Sequence, residues 1–234
     1  MRKTFLGAFL FSIMALTATS ALAQDERYKF EFYGGYSYMN LNRGFDPDEF
    51  DDDFEDFAAN RVNAHGIELG VNYNWSRYLG AKFVYTRHAH SQDIVESGPG
   101  QFKLEQKVGQ FMGGIQIKDN RKDGAKLKPF AHILAGAAQQ SFQGEGHFLV
   151  VNPLRQAGTT GAEGEEVIAF DINSTDFTMS FGGGLDLRVH RNVDIRLIQV
   201  DWNPIFRGDR DTQFGTFPGA MQNNIRVGFG VVLH

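Results

Sequence analysis

Cysteine is absent from the 234 residues, which excludes disulfides and thiolate metal sites while leaving an oxidising compartment open. Linker-like low-complexity stretches are missing too, so the chain reads as one structural domain behind a short N-terminal unit. Beyond the N-terminus no apolar run reaches the roughly eighteen residues of a helical span, and mean hydropathy is slightly negative. Positive charge is in deficit: the formal charge is −5, which gives no basic face for nucleic acid.

None of these absences excludes a β-barrel in a membrane, because a barrel alternates its faces and averages toward polar. What the chain does have points that way, with 27 glycines and 22 phenylalanines. Residues 1–23 form a separate unit, with Arg2 and Lys3, an apolar run from Phe5 to Leu16, and a small-residue stretch ending Ala21-Leu22-Ala23. This is the pattern of a secretory signal peptide, so the mature domain is expected to span 24–234. Without Arg2 and Lys3 its formal charge would be −7.

The pattern of the rest is set by FTMSFGGGLDLRVHRNVDIRLIQV at 177–200. Phe177, Met179, Phe181, Gly183, Leu185, Leu187 and Val189 share one parity, and Thr178, Ser180, Gly182, Gly184, Asp186 and Arg188 share the other. After His190, Arg191 and Asn192 the alternation restarts, with Val193, Ile195 and Leu197 against Asp194 and Arg196. A period of two with so short a polar link predicts an antiparallel hairpin. About ten residues at about 3.3 Å each, tilted near 40°, span an apolar band of about 25 Å. Slipping the register by one residue would turn Asp186 and Arg188 to lipid, at about 2–4 kcal/mol for an arginine near the midplane.

The same alternation recurs along the chain. Phe30, Phe32, Tyr36 and Tyr38, with Tyr28 before them, face away from Glu31, Tyr33 and Ser37 in a first strand at 28–38. A second strand at 63–75 sets His65, Ile67, Leu69, Val71 and Tyr73 against Glu68, Asn72 and Asn74. Further strands are predicted at 79–89, 102–118 and 127–141, the last with both faces largely apolar and its parity open. Past Val200 the positions of Ile198, Val200 and Trp202 suggest a bulge, and a final strand covers 223–234.

The count is eight, and connections of alternating length separate the strands. Long loops are expected at 41–61, 91–101, 142–171 and 203–222, with tight turns between them. One trimmed rim and one elaborated rim match an eight-stranded antiparallel up-and-down transmembrane β-barrel. A lipocalin-like soluble barrel shares the strand count but not the paired loop lengths or the outward aromatics.

With PFAHILAGA, FGGGLDLRV and the closing NNIRVGFGVVLH, the chain resembles the OmpA/OmpX-like small outer-membrane β-barrel family over nearly all of 24–234. The resemblance implies outer-membrane lipid around the barrel and assembly by the barrel-insertion machinery. Such proteins commonly end in an aromatic residue that this machinery reads, whereas this chain ends Leu233-His234, with Phe229 on the apolar parity.

The inward parity collects Glu31, Glu68, Lys82, Asp186, Arg188, Asp194, Arg196 and Arg226. An eight-stranded interior is just wide enough for side chains to fill, so these charges are expected to pair in a polar core, as a structural network or as a gate. No catalytic, metal or cofactor site is assigned. The acidic run FDPDEFDDDFED lacks EF-hand spacing, so cation binding there stays open beside a solvated or partner-binding loop. His88 and His90 share a face without an evident third ligand. His132 or His147 with Ser141 or Asp171 is the constellation left for a lipid-modifying enzyme.

The expected function is non-enzymatic: envelope integrity, adhesion or binding of an extracellular partner through the loops. A narrow gated pore is the alternative, and a lipid-modifying enzyme follows it.

Overall fold

A computed structural model describes residues 27–42, 61–95, 100–150, 164–212, 215–217 and 219–234. The expected signal peptide at 1–23 and the acidic run lie outside those residues. Among the described residues ten strands are present: β1 (Phe30–Leu41), β2 (Val62–Asn74), β3 (Leu79–Val95), β4 (Gly100–Lys118), β5 (Leu127–Val150), β6 (Gly164–His190), β7 (Val193–Phe206), β8 (Arg210–Thr212), β9 (Gly215–Phe217) and β10 (Met221–Leu233). Eight of them close a barrel in the order β1-β10-β7-β6-β5-β4-β3-β2, every pair antiparallel. The small β8–β9 hairpin stands apart, within the stretch expected to be a loop at 203–222.

Burial follows the predicted parity. Phe32, Ile67, Leu69, Phe83, Phe111, Ile133, Ile195 and Phe229 are exposed on the outside, and Glu31, Glu68, Lys82, Asp186, Asp194, Arg196 and Arg226 are buried within. The open parity of β5 resolves with even positions inward: Lys128, Phe130, His132, Leu134 and Ala138 are buried, whereas Leu127 and Ile133 are exposed. Leu197 and Ile198 both face outward while Gly228 and Gly230 of β10 sit opposite Gln199 and Arg196, so the expected bulge is real. It turns Gln199, Asp201 and Asn203 inward and keeps Val200 and Trp202 on the lipid side.

Four expectations need correction. The loops foreseen at 91–101 and 142–171 are largely strand, since β3 pairs β4 up to Val95↔Gln101 and β5 pairs β6 up to Val150↔Gly164. Beyond a bilayer a strand no longer needs an apolar outer face, so the cue used to end it was the wrong one. β3 to β6 therefore form a wall taller than β1, β2, β7 and β10, which stop at Leu41, Val62, Phe206 and Met221. Tyr28 precedes β1 and is buried; its hydroxyl donates to the Arg191 carbonyl and its ring stacks on His234 at 3.9 Å between centroids. His234 likewise lies past the end of β10 and turns under the barrel.

Candidate functional site

Among the described residues the buried charged side chains of the barrel are five carboxylates, Glu31, Glu68, Asp186, Asp194 and Asp201, and five cations, Lys82, Lys118, Lys128, Arg196 and Arg226. An ion taken out of water costs several kcal/mol unless it is paired, so a lumen of this size requires such balance. The charges fall into two connected groups.

Nearest the tight turns, Lys128 Nζ lies 3.2 Å from Asp194, and His234 lies 3.0 Å from Asp194 and 3.3 Å from Glu31. Lys118 joins this group to the barrel centre, 3.1 Å from Glu31 and 2.9 Å from Asp186.

At the centre, Arg196 grips Asp186 with two hydrogen bonds, Nε to Oδ1 at 2.8 Å and Nη2 to Oδ2 at 3.2 Å. Its guanidinium is sandwiched between the rings of Tyr33 and Phe130, at 4.2 and 4.1 Å from their centroids. Stacking and a planar fork are what arginine supplies and lysine does not. Both rings fit because glycines face them: a Cβ on Gly184 would meet Phe130 Cζ at 2.9 Å, and one on Gly230 would meet Tyr33 Cε2 at 2.9 Å.

Gln199 links the two groups. It accepts from Arg196 Nη1 at 2.7 Å and donates to Asp201 at 2.7 Å and to Glu68 at 3.2 Å. Arg226 donates to Asp201 from Nε at 3.0 Å and from Nη2, and stands 3.7 Å from Glu68. His132 lies 3.1 Å from Asp201 and 3.3 Å from Lys82, whose ammonium is 4.0 Å from Glu68.

Toward the opposite rim the filling changes. Gln110 donates to Asn203 at 2.7 Å, and His88 bonds Ser37 at 2.8 Å. Above these a cluster of Met39, Leu41, Val62, Ala64, Val108, Ala138 and Ile205 is packed inside the barrel.

Of the predicted lumen charges, Arg188 sits at the mouth of the lumen, its side chain 14% exposed and its Nε 3.9 Å from Asp194 Oδ1. It shares the inward parity, but its guanidinium reaches the carbonyls of Arg121, Lys122 and Gly124 in the β4–β5 turn. Residues missed from the sequence are Lys118, Lys128, His132, Asp201, Gln199 and His234. Lys128 and His132 on even positions could have fixed the parity of β5, and two adjacent outward residues at 197–198 could have carried the alternation through to Asp201.

Among the described residues the alternative constellations are not assembled. His132 points into the lumen and is buried, whereas Ser141 lies on the opposite parity of the same strand, nine residues away. His88 and His90 spend ring nitrogens on Ser37 and the Asn63 carbonyl. Among the described residues no three His, Asp or Glu side chains are grouped to hold a metal ion. The side chains of His147 and Asp171 are outside the described set.

A closed antiparallel cylinder with an apolar exterior, a charge-paired interior and one trimmed rim defines a transmembrane β-barrel. The chain belongs to the family described as outer membrane protein beta-barrel domain, whose pattern matches residues 9–231. The outer membrane is therefore its location. No curated protein matches the sequence significantly.

Among solved structures it is similar to OprG of Pseudomonas aeruginosa, with 11% identity, 90% of this chain and 97% of that chain covered, and a TM-score of 0.47. It is similar to Ail, the attachment invasion locus protein of Yersinia pestis, solved with the heparin analogue sucrose octasulfate, with 11% identity, 87% and 97% coverage and a TM-score of 0.44. The outer membrane protease OmpT of Escherichia coli is a third, with 9% identity, 92% and 99% coverage and a TM-score of 0.47.

Proposed function

We propose that this protein is a non-enzymatic barrel with a sealed lumen, whose work is structural or surface interaction at the outer face of the envelope. The observation that carries the reading is the filling of the interior: ten paired charges below and a packed apolar cluster above. The lumen charges then act as a structural network, holding eight strands in one register. The working surface is the exterior, above all the tall wall formed by β3 to β6. Partners are outer-membrane lipid, the insertion machinery during assembly, and an extracellular partner at the loops. Residues 1–23 act as the export signal in this reading, leaving 24–234 as the mature barrel.

Recording the refolded protein in planar bilayers tests it. The expected result is no conductance steps above background. Steps that change with Lys82→Ala or Glu68→Ala would replace this reading with a gated pore. An altered lipid profile in cells lacking the protein would replace it with an enzyme.

A further inference from the structure

Two depressions on the lipid-facing side of the barrel meet at Tyr85 and Phe111, which line both. Their rings lie 4.7 Å apart between centroids. Toward the tight-turn rim the groove is apolar, walled by Phe32, Leu69, Val71 and Phe83, whose ring lies against Gly113. Toward the other rim it is polar, lined by Arg87, Lys107, Gln139, Ser141 and Asn173. The change occurs where the interior also changes, since Val108 and Ala138 at that height are buried and apolar. Tyr85 and Phe111 therefore mark the outer boundary of the hydrocarbon, where aromatic belts sit.

The polar half carries net positive charge. Lys107 lies 2.6 Å and Lys103 3.0 Å from the single carboxylate of Glu105. Arg87 is exposed and makes no ion pair among the described residues. Arg87 pairs with Gly109 across β3 and β4, so Lys107, two residues on, is its diagonal neighbour, at about 7–8 Å by sheet geometry. With glycine between them, nothing fills the space that separates the two cations. On the wall across the barrel the guanidinium of Arg61 is spent on Asn40 and the Asn223 carbonyl.

A ligand fitting this groove has hydrocarbon below the boundary and an anion just above it. The outer leaflet of this membrane is built from acylated sugar phosphates, and basic pockets at a bilayer surface hold lipid head groups. We propose that the groove binds one phosphorylated, acylated glycolipid of the outer leaflet, one acyl chain lying along Phe83 and Leu69 and a phosphate held between Arg87 and Lys107. The assignment rests on the outer-membrane placement of the barrel and is independent of whether its lumen is sealed.

The test is titration of the refolded protein in detergent micelles with purified diphosphorylated lipid A, read by native mass spectrometry. Wild type is expected to take up one molecule saturably. The Arg87→Ala/Lys107→Ala double variant is expected to bind about 30-fold more weakly, the loss of two basic contacts at a charged lipid surface. Gly109→Leu closes the gap from the other direction and is expected to weaken binding about tenfold, since each tenfold step is one modest contact. A Cβ there meets only the Thr86 carbonyl oxygen, at 3.9 Å, so the barrel has room to fold. Folding of each variant is checked by the different gel migration of unheated and boiled samples.

Unsaturable uptake, or affinity unchanged in both variants, would overturn the proposal. Equal binding of the dephosphorylated lipid, of phosphatidylglycerol or of inorganic phosphate alone would do so as well.

Discussion

The two ends of the lumen solve the same packing problem with opposite chemistry. Near the tight turns the inward residues are charged and their outward neighbours are apolar, as with Glu31 beside Phe30 and Phe32, or Asp194 beside Ile195. Near the other rim this reverses on β2, β3 and β5, where Asn63, Arg87 and Gln139 face out, and Met39, Leu41, Val62, Ala138 and Ile205 enter the lumen beside the buried amides of Gln106, Gln140 and Gln222. The backbone pleat is identical at both ends, so the solvent outside decides which face is polar. Against hydrocarbon the polar groups have only the lumen, where they must pair. Against water the strands behave like a soluble barrel and put their apolar face within. The height of the inversion gives the level of the outer membrane surface without reference to any lipid.

The largest test of this contrast is Asp201→Ala. It leaves Arg226 and His132 facing each other without the carboxylate between them, and breaking a buried pair costs about 3–5 kcal/mol. Urea unfolding in micelles should show it. Next comes a charge placed at two heights of β5: Ile133→Arg faces lipid near mid-strand and should cost about 2–4 kcal/mol, whereas Gln139→Arg, above the inversion, should cost about 0–1. Equal costs would move the membrane boundary. Trimming the apolar end is milder, with Ile205→Val expected to lose about 1 kcal/mol.

The smallest effect lies outside both ends, in the β4–β5 turn. The Arg121 guanidinium bonds Asp119 at 2.7 and 3.0 Å and holds that carboxyl below its usual range. Because the folded value is depressed, its stabilisation is fully present above the ordinary carboxylate range and is lost as the pH falls from there through the lower folded value. Arg121→Ala should raise the Asp119 titration midpoint in a carboxyl NMR titration, yet leave unfolding at neutral pH almost unchanged, as exposed pairs do.

How much of this was legible follows the same division. Strands β1, β2, β6 and β10 declare themselves because, over the membrane-spanning part, glycines, charges and small polar residues occupy most inward positions opposite apolar and aromatic ones. β5 hides its parity because Phe130, Leu134 and Ala138 are apolar and yet inward: Phe130 packs on Arg196, Leu134 joins Val84 and Met112, and Ala138 belongs to the apolar cluster. Asp201 was out of reach until the bulge at 197–198 was allowed to shift the alternation. The heights of β3 to β6 were under-read because no apolar exterior is needed above the membrane. Arg188 shows the limit of parity: it gives a direction but not a depth, and at a strand's end a long side chain bonds the turn as well as the lumen carboxylate of Asp194.

The unequal strand lengths carry a consequence for reach. If β5 and β6 keep the slant of the barrel, the eleven steps from Gln139 to Val150 raise their tip about 25–30 Å clear of the bilayer. The connections at Leu41–Val62 and Phe206–Met221 start near the surface instead. One side of the molecule is thus a mast and the other a deck, and whatever docks at the masthead meets this protein before it meets the membrane.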